Sequence, residues 1–301
     1  LWWWSVADPM PYLGLLFNAL VWGVSWWPLR QLHEMGLHPL WSTSVFFALG
    51  VLILVVSRPA ALGMVLRQPW LWALALAAGA TNAAFNWAVS VGDVVRVVLL
   101  FYLMPLWAVL LAWLMLGERI SHAALGRVGM ALAGAMLVLR PVDGGWPQFQ
   151  GAADWLGLAG GFGFALNNVL LRKQAQVPSS ARAMAMFLGG LCIPLVLAQV
   201  LLLQGVVSPW PPLAWSWVLM ALVMGLLFFA SNMALQAGAS QLPVAITSVV
   251  MLTEVVFATL SSVWWGGATL SSATLVGGTL IVSASLWSAL RPDPAPQVPE
   301  R

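Results

Sequence analysis

Runs of roughly 20 mainly apolar residues recur along almost the whole chain, and that repetition restricts its fold more than any motif does. A helix crossing a bilayer needs about 20 such residues. Polar breaks and Gly/Pro clusters divide the sequence into ten segments of about that length: 12–30, 39–57, 70–90, 94–116, 122–140, 153–172, 182–204, 214–237, 243–266 and 270–290. Of the 301 residues, 61% are hydrophobic and 7% charged, whereas a soluble domain carries about 25% charged residues. So few charges cannot cover a water-facing surface. The expected class is therefore an all-α polytopic membrane protein with ten transmembrane helices, its surroundings the lipid bilayer. The basic pI rests on a net charge of only +3, so it does not imply a nucleic-acid partner.

The cations orient the segments. With a cytoplasmic N-terminus, nine of the 12 Lys and Arg face the cytoplasm: Arg58, Arg67, Arg119, Arg127, Arg172, Lys173, Arg182, Arg291 and Arg301. Arg30, Arg96 and Arg140 then lie outside. Cytoplasmic loops are enriched in Lys and Arg, so both termini are expected in the cytoplasm. Many of the tryptophans fall near segment ends, as at Trp2–Trp4, Trp41, Trp70, Trp146, Trp210 and Trp264–Trp265, where interfacial anchoring is their expected role. The first residues carry no Lys or Arg ahead of Asp8-Pro9, so no cleavable signal is expected, and Leu1 suggests a start inside a longer chain. Cys192, the single cysteine, excludes an internal disulfide and reads as a small buried hydrophobe.

An internal repeat sharpens the picture. ATNAAFNWAVSVGD (80–93) aligns without gaps against ASNMALQAGASQLP (230–243), and the register holds to LGERIS (116–121) against GGATLS (266–271). YLGLLFNALVWGVSWWPLRQ (12–31) aligns with WLGLAGGFGFALNNVLLRKQ (155–174). Each half then holds five helices: residues 1–145 form the first repeat, 146–290 the second, and 291–301 a Pro-rich tail expected to be disordered and cytoplasmic. Five is odd, so the second half enters the membrane inverted relative to the first, as in many secondary transporters. The glycines of the fifth and sixth helices, Gly126, Gly129, Gly134, Gly157, Gly160, Gly161 and Gly163, read as close-packing positions.

The ten segments, the five-plus-five repeat, FYLMPLWAVLLAWLMLGERIS (101–121) and LPVAITSVVMLTEVVFA (242–258) together resemble the drug/metabolite transporter superfamily, specifically its EamA-type members. The resemblance spans nearly the whole chain. Within the superfamily, Tyr102-Leu103-Met104-Pro105 and the wealth of aromatics look like the aromatic-amino-acid exporters of bacterial inner membranes. That resemblance implies export by alternating access and an inner-membrane location. The chain departs from the common pattern at Val255, where many relatives carry proline, and at Ala268-Thr269, which replace the Glu118-Arg119 of the first half. Glu118 and Arg119 accordingly read as a loop pair near a helix end.

Polar groups inside the apolar segments are the candidate site. An ionisable group at bilayer depth costs about 2.5–3.5 kcal/mol. Glu254, near the middle of the ninth segment with no Lys or Arg within a helical turn, is best accommodated as the neutral acid. It serves proton coupling or contacts a substrate amine, or it is a protonated carboxyl bonded across a helix interface; both readings stand. Asn82 and Asn86 recur as Asn232 and Gln236; Asn18, Trp22 and Trp26 form a stripe on the first helix, and the sixth offers Asn167 and Asn168. These amides line a wet cavity or join helices at about 0.6 kcal/mol per bond. Phe85 and Tyr102 would add apolar and stacking area, and Pro105 is expected to kink the fourth helix. Asp93 and Arg96, three residues apart, read as a local rim pair, with carboxylate steering by Arg96 the other reading. His33, His38 and His122 are too scattered for a metal site.

The resulting expectation is a secondary transporter of small, largely apolar metabolites, amino acids above all, with protons as a further partner. Substrate contacts are assigned to Trp22, Trp26, Asn82, Phe85, Asn86, Tyr102, Asn167, Asn168, Asn232, Gln236 and Glu254, and no cofactor is expected. Sugar-phosphate or nucleotide-sugar transport is the alternative, disfavoured because phosphates want several cavity cations. An intramembrane enzyme would need a reactive constellation such as HExxH or paired aspartates, and neither occurs; a scaffold would not need the inverted repeat.

Overall fold

A computed structural model describes residues 9–117, 120–141, 145–173, 176–239, 241–242 and 244–290. Glu118, Arg119 and the 291–301 tail lie outside the described residues. Every regular element described is a helix: α1 (Met10–Val24), α2 (Trp26–Glu34), α3 (Pro39–Ser57), α4 (Pro59–Arg67), α5 (Pro69–Val91), α6 (Val94–Phe101), α7 (Met104–Leu116), α8 (His122–Val138), α9 (Ala152–Lys173), α10 (Ser179–Leu203), α11 (Trp215–Ala239), α12 (Val244–Met251), α13 (Thr253–Gly266) and α14 (Ser272–Leu290). The all-helical class follows from the sequence's apolar runs, since lipid leaves a backbone no other way to satisfy its polar groups than helices or closed barrels.

Each of the ten expected segments falls on one helix or on two consecutive ones, with α4 an extra short helix between the second and third. Among the described residues six stretches are long and apolar enough to cross a membrane: 39–57, 69–91, 94–115, 179–203, 215–239 and 249–266. The others fall short for visible reasons. Ser25 splits the first segment into α1 and α2, α9 is diluted by glycines and asparagines, and α8 is an apolar helix of 17 residues.

Packing follows pairs that the sequence alignment relates. Helix α1 packs on α11 and on α12 and α13, while α9, its aligned partner, packs on α5 and on α6 and α7. Helix α3 meets α11 as α10 meets α5; α3 also meets α10, and α8 meets α14. Exchanging every helix for its aligned counterpart turns this set of contacts into itself. Glycines permit close crossings: a Cβ on Gly134 would sit 2.6 Å from the Gly277 carbonyl oxygen, and one on Gly277 the same distance from that of Gly134. Each glycine thus lets the other's backbone in.

Two helices are broken near their middles, at aligned positions. The α6–α7 junction falls at Tyr102-Leu103, immediately before Pro105, which sits in the first turn of α7. The α12–α13 junction falls at Leu252, 150 residues after Tyr102, with Val255 where the first half has its proline. Aligned glycines also close both broken helices. Gly117 ends α7 at φ 68° and Gly267 ends α13 at φ 62°, left-handed conformations that glycine adopts without steric cost.

Candidate functional site

A cavity of about 780 Å³ lies between the two halves, within the size range of small-molecule sites. Its wall takes Asn18 and Trp22 from α1, Thr81, Asn82 and Phe85 from α5, and Tyr102 and Pro105 from the α6–α7 break. The second half contributes Asn167 and Asn168 from α9, Arg182 from α10, Asn232 and Gln236 from α11, and Thr247 and Glu254 from α12 and α13. The lining reaches Ser179 at the start of α10, Ala239 at the end of α11 and Ser288 near the end of α14. The cavity therefore runs from the helix breaks to the end of the molecule where α9 leads into α10.

Of the residues expected in the site, Trp22, Asn82, Phe85, Tyr102, Asn167, Asn168, Asn232, Gln236 and Glu254 share this wall, together with Pro105. Trp26 and Asn86 do not. Trp26 is buried and its indole N–H donates to Ser261 Oγ at 2.9 Å, so it ties α2 to α13. Asn86 is fully buried and donates to Thr43 Oγ1 at 3.0 Å, tying α5 to α3. A stripe at i, i+4 and i+8 assumes an unbroken helix, and the break at Ser25 turns Trp26 away from the line of Asn18 and Trp22. Trp41, expected at the interface, is instead wholly buried and donates to the Ser208 carbonyl at 3.0 Å.

Glu254 is 8% exposed and finds its partner in the other half: Tyr102 Oη lies 3.2 Å from its Oε2 and 3.1 Å from the Met251 carbonyl oxygen. Met251 ends α12, so the hydroxyl from one helix break reaches both the terminal carbonyl of the other break and the carboxyl just past it. A hydroxyl has one proton to donate. An ionised Glu254 claims it; a protonated Glu254 can donate to the phenol oxygen and leave that proton to Met251.

The far end, where α8 leads into α9, is closed by a different chemistry. Arg96 does not pair with Asp93 through its side chain; Asp93 Oδ1 caps α6 by accepting from the Arg96 backbone N–H at 2.8 Å. The guanidinium instead bonds Asp154 at the start of α9, with contacts of 2.8 to 3.0 Å, and donates to the carbonyls of Val138 at 3.0 Å and Gln148 at 2.7 Å. Asp154 also accepts from the Gln150 backbone N–H at 2.8 Å. Both partners are buried. Buried and held by Asp154 and two carbonyls, and absent from the cavity wall, Arg96 is not placed to steer a carboxylate. Arg30 is similarly occupied, donating to the Val89 and Gly92 carbonyls and lying over the Trp26 ring. Between this end and the cavity, Trp22 packs on Phe85 and Phe228, and Phe101 on Phe85 and Phe164.

Four cavity residues carry a buried side-chain atom without a hydrogen-bond partner: Asn18 Nδ2, Asn167 Oδ1, Arg182 Nε and Thr247 Oγ1. Each such atom costs about 1–3 kcal/mol when left unpaired. All four gather around one cavity, whose wall thus carries donors and acceptors that the protein leaves unpaired. The sequence places Arg182 on the cytoplasmic side, as the first residue of the seventh segment; the structure starts α10 three residues earlier, at Ser179, and puts Arg182 on the cavity wall. Thr247 had no signal in the sequence beyond lying in an apolar run.

Residues 9–140, most of the first half, match the EamA-like transporter family. Over that stretch the chain is similar to EamA-like transporters. EamA proteins are multi-pass membrane transporters of small molecules, within the drug/metabolite transporter superfamily, and not enzymes. A solved crystal structure of a protein shares the fold, with a TM-score of 0.56 and 21% identity over 93% of this chain and 96% of its own. No curated protein sequence matches.

Proposed function

We propose that this EamA-like chain is a secondary transporter that exports neutral amino acids, aromatic ones among them, by alternating access. The observation that carries this reading is the cavity wall, which combines aromatic rings with buried polar atoms that have no protein partner. Trp22, Phe85 and Tyr102 offer stacking area to an apolar side chain, and Asn18, Asn82, Asn167, Asn232 and Thr247 offer donors and acceptors to its polar end. Preference for aromatic substrates and the outward direction rest on the family resemblance.

The two halves act as inverted repeats in this proposal, and the exchange of packing partners between aligned helices supports it. With both termini cytoplasmic in a bacterial inner membrane, the α9–α10 end faces the cytoplasm and the arrangement is inward-facing. The Arg96–Asp154 network and the ring cluster around Phe85 then seal the outer side. Sugar phosphates fit less well, since Arg182 is the one Lys or Arg among the described lining residues and phosphates want several cations.

Purified protein in liposomes should take up radiolabelled Trp, Phe, Met or Thr, faster with a pH gradient if Glu254 couples protons. If none of the four moves, the amino-acid assignment is wrong. Gradient dependence left unchanged in Glu254→Gln would reduce Glu254 to a packing residue.

A further inference from the structure

We propose that Arg182 is the carboxylate-recognition residue of the cavity, and that substrates bind with their anionic group toward the α9–α10 end and any ammonium toward Glu254. This rests on the transport reading and adds to it the polarity of the bound substrate. Three observations lead there. Arg182 lines the cavity and its Nε is buried without a hydrogen-bond partner, whereas Arg96 and Arg30 are bound by protein groups. A guanidinium presents five donors in a planar fork that matches a carboxylate, and it stays charged throughout the accessible pH range. An unpaired one on a cavity wall is a site for an anion.

The second observation is the backbone around it. Arg182 stands in the first turn of α10, whose N-cap is Pro178 and makes no side-chain cap. The positive end of this 25-residue helix thus adds to the arginine's field at the same spot. The third is the opposite pole. Glu254 stands on the same wall beyond α12, a helix of eight residues or about 12 Å. One cation and one carboxyl at different depths of one cavity complement a dipolar solute, and Asn167 Oδ1 and Thr247 Oγ1 supply further unpaired atoms on the same wall.

The test measures binding to the full chain in lipid nanodiscs by calorimetry, with three probes: L-phenylalanine, phenethylamine, which lacks the carboxylate, and 3-phenylpropionate, which lacks the amine. Wild type should bind phenylalanine about 10- to 100-fold more tightly than phenethylamine, the range of a charge-assisted bidentate contact. Arg182→Gln should lose that factor for both carboxylates while holding phenethylamine within about twofold, and Arg182→Lys should recover part of it. Retained amine binding shows that the variant is folded. Equal wild-type affinity for phenylalanine and phenethylamine, or an Arg182→Gln variant that still discriminates, overturns the proposal, as does an equal loss of all three probes. Wild-type binding of phenylpropionate alone, lost in Arg182→Gln, supports Arg182 and sinks the amino-acid reading. Binding of none of the three overturns both.

Discussion

The two ends of the helical assembly are built in opposite ways. At the α8–α9 end, Arg96 and Asp154 form a buried ion pair joined by three further backbone groups, Trp26 is bonded to Ser261, and Arg30 closes on the end of α5. At the α9–α10 end, Gln236 and Asn168 are exposed and Arg182 has a buried nitrogen with nothing to bond. The aligned counterpart of Arg96 is Ile246, an apolar residue that cannot make the same joint. The helix breaks and the glycines that close them thus recur at aligned positions, whereas this charged joint does not.

Asp154→Asn should break this contrast most strongly. It would leave Arg96 buried and uncompensated, a loss of about 3–5 kcal/mol if the end stays closed. A fall in thermal stability in detergent, or a shift of labelling toward an outward-open form, is the expected result; an unchanged melting temperature with unchanged labelling would mean that the ion pair does not hold this end shut. Between the ends, Tyr102→Phe removes the hydroxyl shared by Met251 and Glu254 and should cost about 1–3 kcal/mol. Because it touches the carboxyl, it should also alter the pH profile of transport, which a loss of packing alone would not do.

A smaller difference concerns helix starts at opposite ends. Helix α3 is capped by His38, whose Nδ1 accepts from the Leu40 backbone N–H at 3.2 Å, whereas the cap of α10 is Pro178 with no side-chain bond. Burial, with a lesser contribution from nearby His33, pushes the His38 value down to about 4. A lowered folded value means the stabilisation is complete above the free imidazole range near 6.5 and is lost as pH falls through it toward about 4. Protonation also removes the capping acceptor, so acidification to about pH 4 should cost about 1 kcal/mol, and His38→Asn should flatten that dependence. Smallest of all should be Pro105→Ala. The α12–α13 break forms with Val255 in the aligned place, so the α6–α7 break should survive loss of its proline, with stability changed by less than about 1 kcal/mol. A large loss would show that the two breaks have different causes.

The helical segments were readable because lipid demands long apolar runs, and the cavity amides because an amide in such a run stands out. What was not readable were partners across the sequence. Arg96 looked paired with Asp93 three residues away, yet its partner is Asp154, brought in by packing of α6 on α9. Trp26 and Asn86 carried the right spacing but sit past a break or against α3, and spacing says nothing of either. Arg182 was hidden because a cation at the first residue of a segment reads as one facing the cytoplasm, and spacing does not show which such cation turns onto a cavity wall. Tyr102 and Glu254 were each visible; their contact was not, since it joins residues 152 positions apart.

All of this depends on a water-reachable pocket, shared by both halves, that is bounded at one end by a charged joint. Single cysteines at Asn82 and Asn232 in a Cys192→Ser background, with Asn86→Cys as the buried control, test that directly in membrane vesicles. A membrane-impermeant thiol reagent should label the first two from the α9–α10 side, substrate should slow that labelling, and Asn86→Cys should stay unlabelled. Labelling of none of them from either side, or of Asn86→Cys as readily as the others, would contradict it.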